Sequence, residues 1–117
     1  MKYFYRSEVT KTKLPGRFIQ RAIGKDAVSP SQAMTIGFAR YNAEAGPMEP
    51  HKHAEESIYI LDAKDGWLEF GPEKDKLPNK VMLMGGMVLH VPENEWHVFR
   101  YAEGGFVDIL FVYAPAI

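Results

Sequence analysis

Two histidines separated by one residue, His51 and His53, are the side chains of this chain whose type and spacing best suit metal chemistry. Residues two apart in an extended strand point to the same face, so both imidazoles can reach one point. Glu56 follows three residues later and offers a carboxylate. Imidazole and carboxylate ligands suit divalent ions such as Zn, Fe, Mn, Co and Ni, and a chain without cysteine excludes thiolate ligation. The segment predicts a metal site, with solvent-exposed strand histidines as the alternative.

A second segment, from Gly86 to Tyr101, supplies a third histidine. Its spacing resembles the second motif of the cupin superfamily, which runs Gly, five residues, Pro, one residue, Gly, two residues, His, three residues, Asn. Gly86, Pro92 and His97 stand at those intervals, while Asn94 replaces the second Gly and Tyr101 the last Asn. Asn tolerates positive φ well, so we expect Asn94 to make the same turn.

The first cupin motif is matched more loosely over residues 46–66. It runs Gly, five residues, His-X-His, three or four residues, Glu, six residues, Gly, and strict counting would put Ser57 in the glutamate position. The family's Glu followed by Tyr-Val-Leu favours Glu56 instead, because Tyr-Ile-Leu follows it at the matching interval. The resemblance implies one divalent metal ion (Fe, Mn, Zn, Ni or Co) held by His51, His53, Glu56 and His97, with Glu55 as the alternative carboxylate.

Short apolar or alternating segments recur between Gly, Pro and Asn residues, and none keeps a helical period over three turns, which predicts an all-β chain. By resemblance, residues 1–117 form a single-domain cupin of the RmlC-like conserved-barrel type, a jelly-roll β-barrel of two antiparallel sheets. The length of 117 residues suits one domain. The predicted strands are Tyr3–Val9, Arg17–Ile23, Ala33–Asn42, Ser57–Leu61, Trp67–Phe70, Lys80–Met84, Met87–Val91, Trp96–Tyr101 and Phe106–Tyr113.

The charge balance narrows the range of partners. Fourteen Lys and Arg against fifteen Asp and Glu give a net charge of -1, with no basic stripe to follow a nucleic-acid backbone. The first residues reach Glu8 before any apolar run suited to a signal peptide or membrane span, so we expect a cytoplasmic protein without a membrane partner. Small cupins commonly form homodimers, and the apolar segment Tyr3-Phe4-Tyr5 suits such an interface.

Three or four protein ligands leave coordination positions for a small-molecule substrate, which favours a metal-dependent enzyme. Cupins include both dioxygenases and isomerases or lyases, and the resemblance does not choose between them. Glu55, Tyr59 and His90 are candidates for proton transfer, although His90 also suits a surface position. Asp108 interrupts an apolar strand and either orients a ligand histidine or faces water at an edge. The alternative functions are a non-catalytic module that binds a small molecule or sugar, and a structural cupin.

Overall fold

The fold is built almost entirely from β-strands in the computed structural model, which describes residues 1–116. Eight strands form one sheet in the order β1-β2-β4-β8-β5-β6, with β3 paired to β2 and β7 paired to β5. All pairs are antiparallel except the short β2–β3 pair. The strands are β1 (Lys11–Leu14), β2 (Arg17–Gly24), β3 (Ser29–Pro30), β4 (Thr35–Asn42), β5 (Glu56–Gly71), β6 (Asn79–Met82), β7 (Val88–Val91) and β8 (Trp96–Tyr113).

Two long strands, β5 and β8, pair along their whole lengths and carry the curl of the sheet. Their register runs from Glu56 opposite Tyr113 to Gly71 opposite Trp96, and it shifts twice, between residues 60 and 62 and between residues 64 and 66. Such bulges bend a strand and increase its twist. The ribbon folds back on itself, so that its two ends face each other across the interior.

The all-β jelly-roll prediction is confirmed, and two details of the predicted strands change. Ser57–Leu61 and Trp67–Phe70 are parts of one strand, as are Trp96–Tyr101 and Phe106–Tyr113. Because β5 and β8 run through the bend, the two predicted sheets are joined into one hydrogen-bonded sheet. The turn residues between the predicted segments mark the bend of a strand rather than its end.

The core lies inside the curl, and strand periodicity decides which side chains reach it. In β4, buried and half-buried residues alternate, so Ala39 and Tyr41 face inward while Arg40 faces outward. The same alternation turns Glu56, Ile58 and Ile60 of β5 to the interior. The inner face of the sheet therefore carries polar groups among the apolar core residues.

The predicted strand Tyr3–Val9 is wrong. This segment is irregular except for a 3₁₀ turn at Arg6–Glu8, and Tyr3 and Tyr5 are exposed. It is anchored by Arg6, whose guanidinium donates two hydrogen bonds of 2.9 Å to the carboxylate of Asp108. The side chain of Gln20 adds bonds to two backbone carbonyls of the segment. The aromatic residues favoured a strand on propensity, whereas the ion pair and these bonds determine the conformation. The strand Lys11–Leu14 was not predicted.

One turn prediction is confirmed: Asn94 has a φ of 71° in the turn before β8. Asn94 thus adopts the left-handed conformation that glycine most often supplies in turns. Residues 1–116 contain no helix long and apolar enough to cross a membrane.

Candidate metal centre

His51 and His97 are joined through their backbones. The N–H of each donates a hydrogen bond of 2.9 Å to the carbonyl of the other, which makes an isolated antiparallel bridge. His51 therefore lies on a loop that is pinned to the first residues of β8, although no regular strand forms around it. This bridge fixes the separation of the two imidazoles, which come from the two different sequence motifs.

The three histidines predicted from the sequence converge. Their ring centroids are 4.4 Å apart for His51 and His97, 4.8 Å for His51 and His53, and 6.0 Å for His53 and His97. One nitrogen from each ring lies within 4.8 Å of the others. Three imidazoles at this spacing can bind one divalent ion.

Backbone carbonyls orient two of the rings. The Nδ1 of His97 lies 3.0 Å from the carbonyl oxygen of Glu95, and the Nδ1 of His51 lies 3.4 Å from that of Glu49. A proton on Nδ1 donates to the carbonyl in each case, which leaves Nε2 as the free lone pair. Metal-binding histidines use this arrangement to fix the tautomer of the ring.

Glu56 faces His97 across the interior. Glu56 is 5% exposed and His97 is 1% exposed, and Oε1 of the carboxylate lies 3.5 Å from Nε2 of the imidazole. Neither atom makes a hydrogen bond to any of the residues 1–116. A buried polar atom without a partner is costly, because it has lost its bonds to water and gained none in return. The three imidazoles fit a divalent cation, which would give Nε2 of His97 a partner, and Oε1 of Glu56 lies beside that nitrogen.

Burial keeps His51 and His53 neutral. Loss of solvent, reinforced by the neighbouring His97 and His53, lowers the pKa of His51 to about 3. Burial also lowers the pKa of His53, although the charge of Glu56 opposes that effect. A neutral imidazole is the form that binds a metal, so at neutral pH no proton needs to be displaced from either ring.

A cavity of about 160 Å³ opens beside these side chains. Its walls include three residues that the sequence reasoning missed: Arg17 of β2, Tyr41 of β4 and Tyr113 at the end of β8. The ring of Tyr113 stacks on His53 with centroids 5.5 Å apart, and burial raises the pKa of its phenol to about 12. The signal that could have found Tyr41 is the alternation of β4, which turns it inward.

The candidates for proton transfer lie elsewhere. Glu55 is hydrogen-bonded to His90, and their side chains are 66% and 63% exposed. Tyr59 is 42% exposed on the outer face of β5. None of these three side chains lines the cavity, because each has the strand parity opposite to the inner face or lies in an exposed loop.

Asp108 does not contact the histidines. It is 7% exposed and bonded to Arg6 beneath the N-terminal segment, on the outer face of the sheet opposite Arg40. Both expectations for this residue, a histidine partner and a water-facing edge, are wrong. The segment that covers it was predicted as a strand, so the ion pair was not foreseen.

Neither a family model nor a curated protein matches the sequence. The structure resembles a protein from Planctomyces limnophilus, with a TM-score of 0.75 at 15% identity over 100% of this chain and 90% of the other. It also resembles the polyketide cyclase RemF from Streptomyces resistomycificus, with a TM-score of 0.70 at 22% identity over 98% and 79%. HppE in an iron(II) form matches with a TM-score of 0.70 at 16% identity, over 96% of this chain and 59% of HppE.

At these identities the similarity concerns the fold alone. RemF and HppE share the curled antiparallel sheet described above, and both belong to the cupin type of jelly roll. The chain has a cupin-like fold.

Proposed function

We propose that this chain is a metal-dependent enzyme that acts on a small polar molecule, with one divalent ion held by His51, His53, Glu56 and His97. The observation that carries the proposal is the pair of buried, unpartnered atoms, Oε1 of Glu56 and Nε2 of His97, within the part of the chain that the structure describes. Folding has brought a carboxylate and imidazoles together out of water at a free-energy cost, and a cation offsets that cost. Glu55 is exposed and engaged with His90, which favours Glu56 as the carboxylate ligand.

The metal would act as a Lewis acid or, if it is iron, as a redox centre for a bound small molecule. The chain's own residues restrict access to it. Phe99 and Phe111 of β8 contribute apolar wall to the cavity, which limits the water around a bound substrate. Tyr113 stays protonated at neutral pH and its phenol can donate a hydrogen bond to an oxygen of the substrate.

Two reaction classes fit this site: dioxygenation, and isomerisation or elimination. The identity of the ion separates them, since iron supports oxygen chemistry whereas Zn, Mn, Ni or Co supports Lewis-acid catalysis. The histidine and carboxylate donors accept any of these ions.

The experiment is elemental analysis of protein purified without chelator, beside the double variant His51→Ala/His97→Ala. The proposal predicts near-stoichiometric metal in the wild type and loss of that metal in the variant. Glu55→Ala/His90→Ala is the matched control, because it removes an exposed carboxylate–imidazole pair and should leave the metal content unchanged. A wild type that contains no metal, and takes up none of the five divalent ions, overturns the proposal and leaves a non-catalytic binding module as the better account.

The homodimer and the cytoplasmic location stay predictions. Tyr3 and Tyr5 are 86% and 76% exposed in the single chain, which supports an interface at the N-terminal segment. Light scattering coupled to size-exclusion chromatography measures the mass, which we expect to be that of two chains.

A further inference from the structure

The cavity at the histidines adjoins a second cavity of about 220 Å³. Four side chains line both: Arg17, Ile19, Phe111 and Tyr113. The shared walls place the two volumes side by side, with the stacked rings of Phe111 and Tyr113 along their common boundary. The far end of a small molecule bound at the histidines could therefore reach the second cavity.

Three cationic side chains line this second cavity: Arg17, Arg21 and Lys25. Arg17, Ile19 and Arg21 alternate along β2 and all line this cavity, Ile19 as a buried residue and Arg21 as an exposed one. A register shift between Arg21 and Ile23 interrupts the pairing of β2 with β4, which resumes at Ile23 opposite Ile36. The cluster thus combines two residues of like parity in β2 with Lys25, which follows the end of that strand.

The three cations have few polar partners among the described residues. Within residues 1–116, none of them lies in an ion pair with a carboxylate. Arg17 donates one long hydrogen bond of 3.4 Å to the carbonyl of Pro15. Other basic residues of the protein do have such partners, as in the pairs of Arg6 with Asp108 and of Arg100 with Glu69. Unpaired cations around a concave surface attract anions.

The geometry points to a substrate with two ends: oxygen donors that reach the histidine cluster, and a carboxylate or phosphoryl group that binds Arg17, Arg21 and Lys25. This inference rests on the proposed function and adds the class of substrate to it. Charge supports it, because a divalent ion at the histidines and three basic groups would be balanced by one carboxylate, that of Glu56, among the residues that line the two cavities. An anionic substrate brings the site closer to neutrality, and guanidinium groups bind carboxylate and phosphoryl oxygens through paired hydrogen bonds.

The probes are 2-oxo acids of equal length that differ in their far end. We would use 2-oxopentanedioate, 2-oxo-4-phosphonobutanoate and 2-oxopentanoate, whose far ends are a carboxylate, a phosphonate and a methyl group. The 2-oxo acid end is the same in all three and supplies the chelating oxygens. Isothermal titration calorimetry of the Zn(II)-loaded protein measures each Kd, and Zn(II) is redox-inert, so the probes are not oxidised. Comparison of the probe that ends in a carboxylate with the probe that ends in a phosphonate decides between carboxylate and phosphoryl recognition.

Of the two probes with a charged far end, we expect the one that binds more tightly to bind at least about tenfold more tightly than 2-oxopentanoate. One charged hydrogen bond is worth about that factor. The losses of this preference in Arg21→Gln and in Lys25→Gln should together amount to about tenfold or more. The Kd of 2-oxopentanoate should stay within about twofold in both variants. Arg40→Gln is the matched control: it removes the same charge from the outer face, where Arg40 stacks on Phe106, and it leaves every Kd unchanged.

Equal affinity for probes with charged and uncharged far ends, or equal losses in Arg21→Gln and Arg40→Gln, overturns the inference while leaving the metal site intact. A wild type that binds Zn(II) but none of the probes also overturns it. Absence of Zn(II) binding overturns the proposed function itself, together with the inference that rests on it, so the two failures are distinguishable by metal content alone.

Discussion

Glu56 and His97 face each other across the interior with 3.5 Å between Oε1 and Nε2, and their backbones belong to opposite ends of the same β5–β8 ribbon. Glu56 pairs with Tyr113 along that ribbon, whereas His97 pairs with Phe70. Only the bend in the two strands brings the side chains together. The candidate centre is thus a product of the curl of the sheet, and its stability and metal affinity should depend on this pair.

Glu56→Gln should have opposite effects on the protein with and without metal. Without metal the substitution replaces a buried carboxyl group whose Oε1 has no hydrogen-bond partner among the described residues, so we expect the free energy of unfolding to rise or stay unchanged. With metal it removes an anionic ligand, so we expect the affinity for Zn(II) to fall by at least about tenfold. Glu55→Gln is the control and should change neither quantity. Urea unfolding with chelator and competition titration of Zn(II) measure the two effects, and unchanged Zn(II) affinity in Glu56→Gln would exclude this carboxylate as a ligand.

Metal removal should lower the thermal stability. A ligand that binds only the folded state at 100 times its Kd adds about 2.7 kcal/mol, which corresponds to a rise in Tm on the order of 10 °C for a domain of this size. Differential scanning calorimetry with Zn(II) and then with excess chelator should show the rise and its reversal. His97→Ala should show no rise, and an equal rise in that variant would place the bound ion elsewhere.

The stability of the metal-free protein should fall as the pH drops below about 6.5. The folded protein holds the pKa of His51 at about 3, and that of His53 below its usual value, whereas the unfolded chain binds these protons as the pH falls through 6.5. The unfolded state therefore gains protons first, and stability present above pH 6.5 is lost progressively toward pH 3. For His51 the slope is at most about 1.4 kcal/mol per pH unit.

The pH effect is best measured between pH 5.0 and 6.5, where carboxyl groups titrate little. Urea unfolding with chelator gives the slope of stability against pH for the wild type and for His51→Gln. The variant should lose much of the slope, and His90→Gln, which removes an exposed histidine, should retain it. Identical slopes in the wild type and His51→Gln would contradict the burial of a neutral imidazole.

Arg6→Met should destabilise the protein, because it leaves the buried carboxylate of Asp108 without its cation. The side chain of Arg6 is 36% exposed, so solvent screening reduces the loss to about 2 kcal/mol. Arg6→Met/Asp108→Leu should recover most of that loss, since it removes both charges and keeps the apolar contacts. Urea unfolding of the two variants and the wild type measures this, and a loss below about 0.5 kcal/mol in Arg6→Met would refute it.

The three histidines and the all-β fold followed from local sequence. His51 and His53 are separated by one residue, and the residues around His97 match the spacing of a known motif. Both signals lie within a few consecutive residues, so they could be read from the sequence. Asn94 is an example: its tolerance of positive φ predicted the turn, and its φ is 71°. Properties that depend on a few neighbouring residues are readable from one sequence.

The cavity walls beside the histidines depend on pairing between strands that are far apart in the sequence. No short stretch of sequence encodes that pairing. Arg17 and Tyr113 reach the histidines only because β2, β4 and β8 lie side by side in the curled sheet. The N-terminal segment shows the same limit: its aromatic residues suggested a strand, yet an ion pair to Asp108, far away in sequence, sets its conformation. Local propensity fails where a distant partner supplies the larger free energy.

The central claim is that one metal ion lies among His51, His53, Glu56 and His97. A crystal structure of the protein grown with Zn(II), with anomalous data collected on both sides of the zinc absorption edge, locates the ion directly. Our account predicts one strong anomalous peak in contact with the three imidazoles and the Glu56 carboxylate. A cavity without such a peak, or a peak only at an exposed pair such as Glu55 and His90, would contradict it.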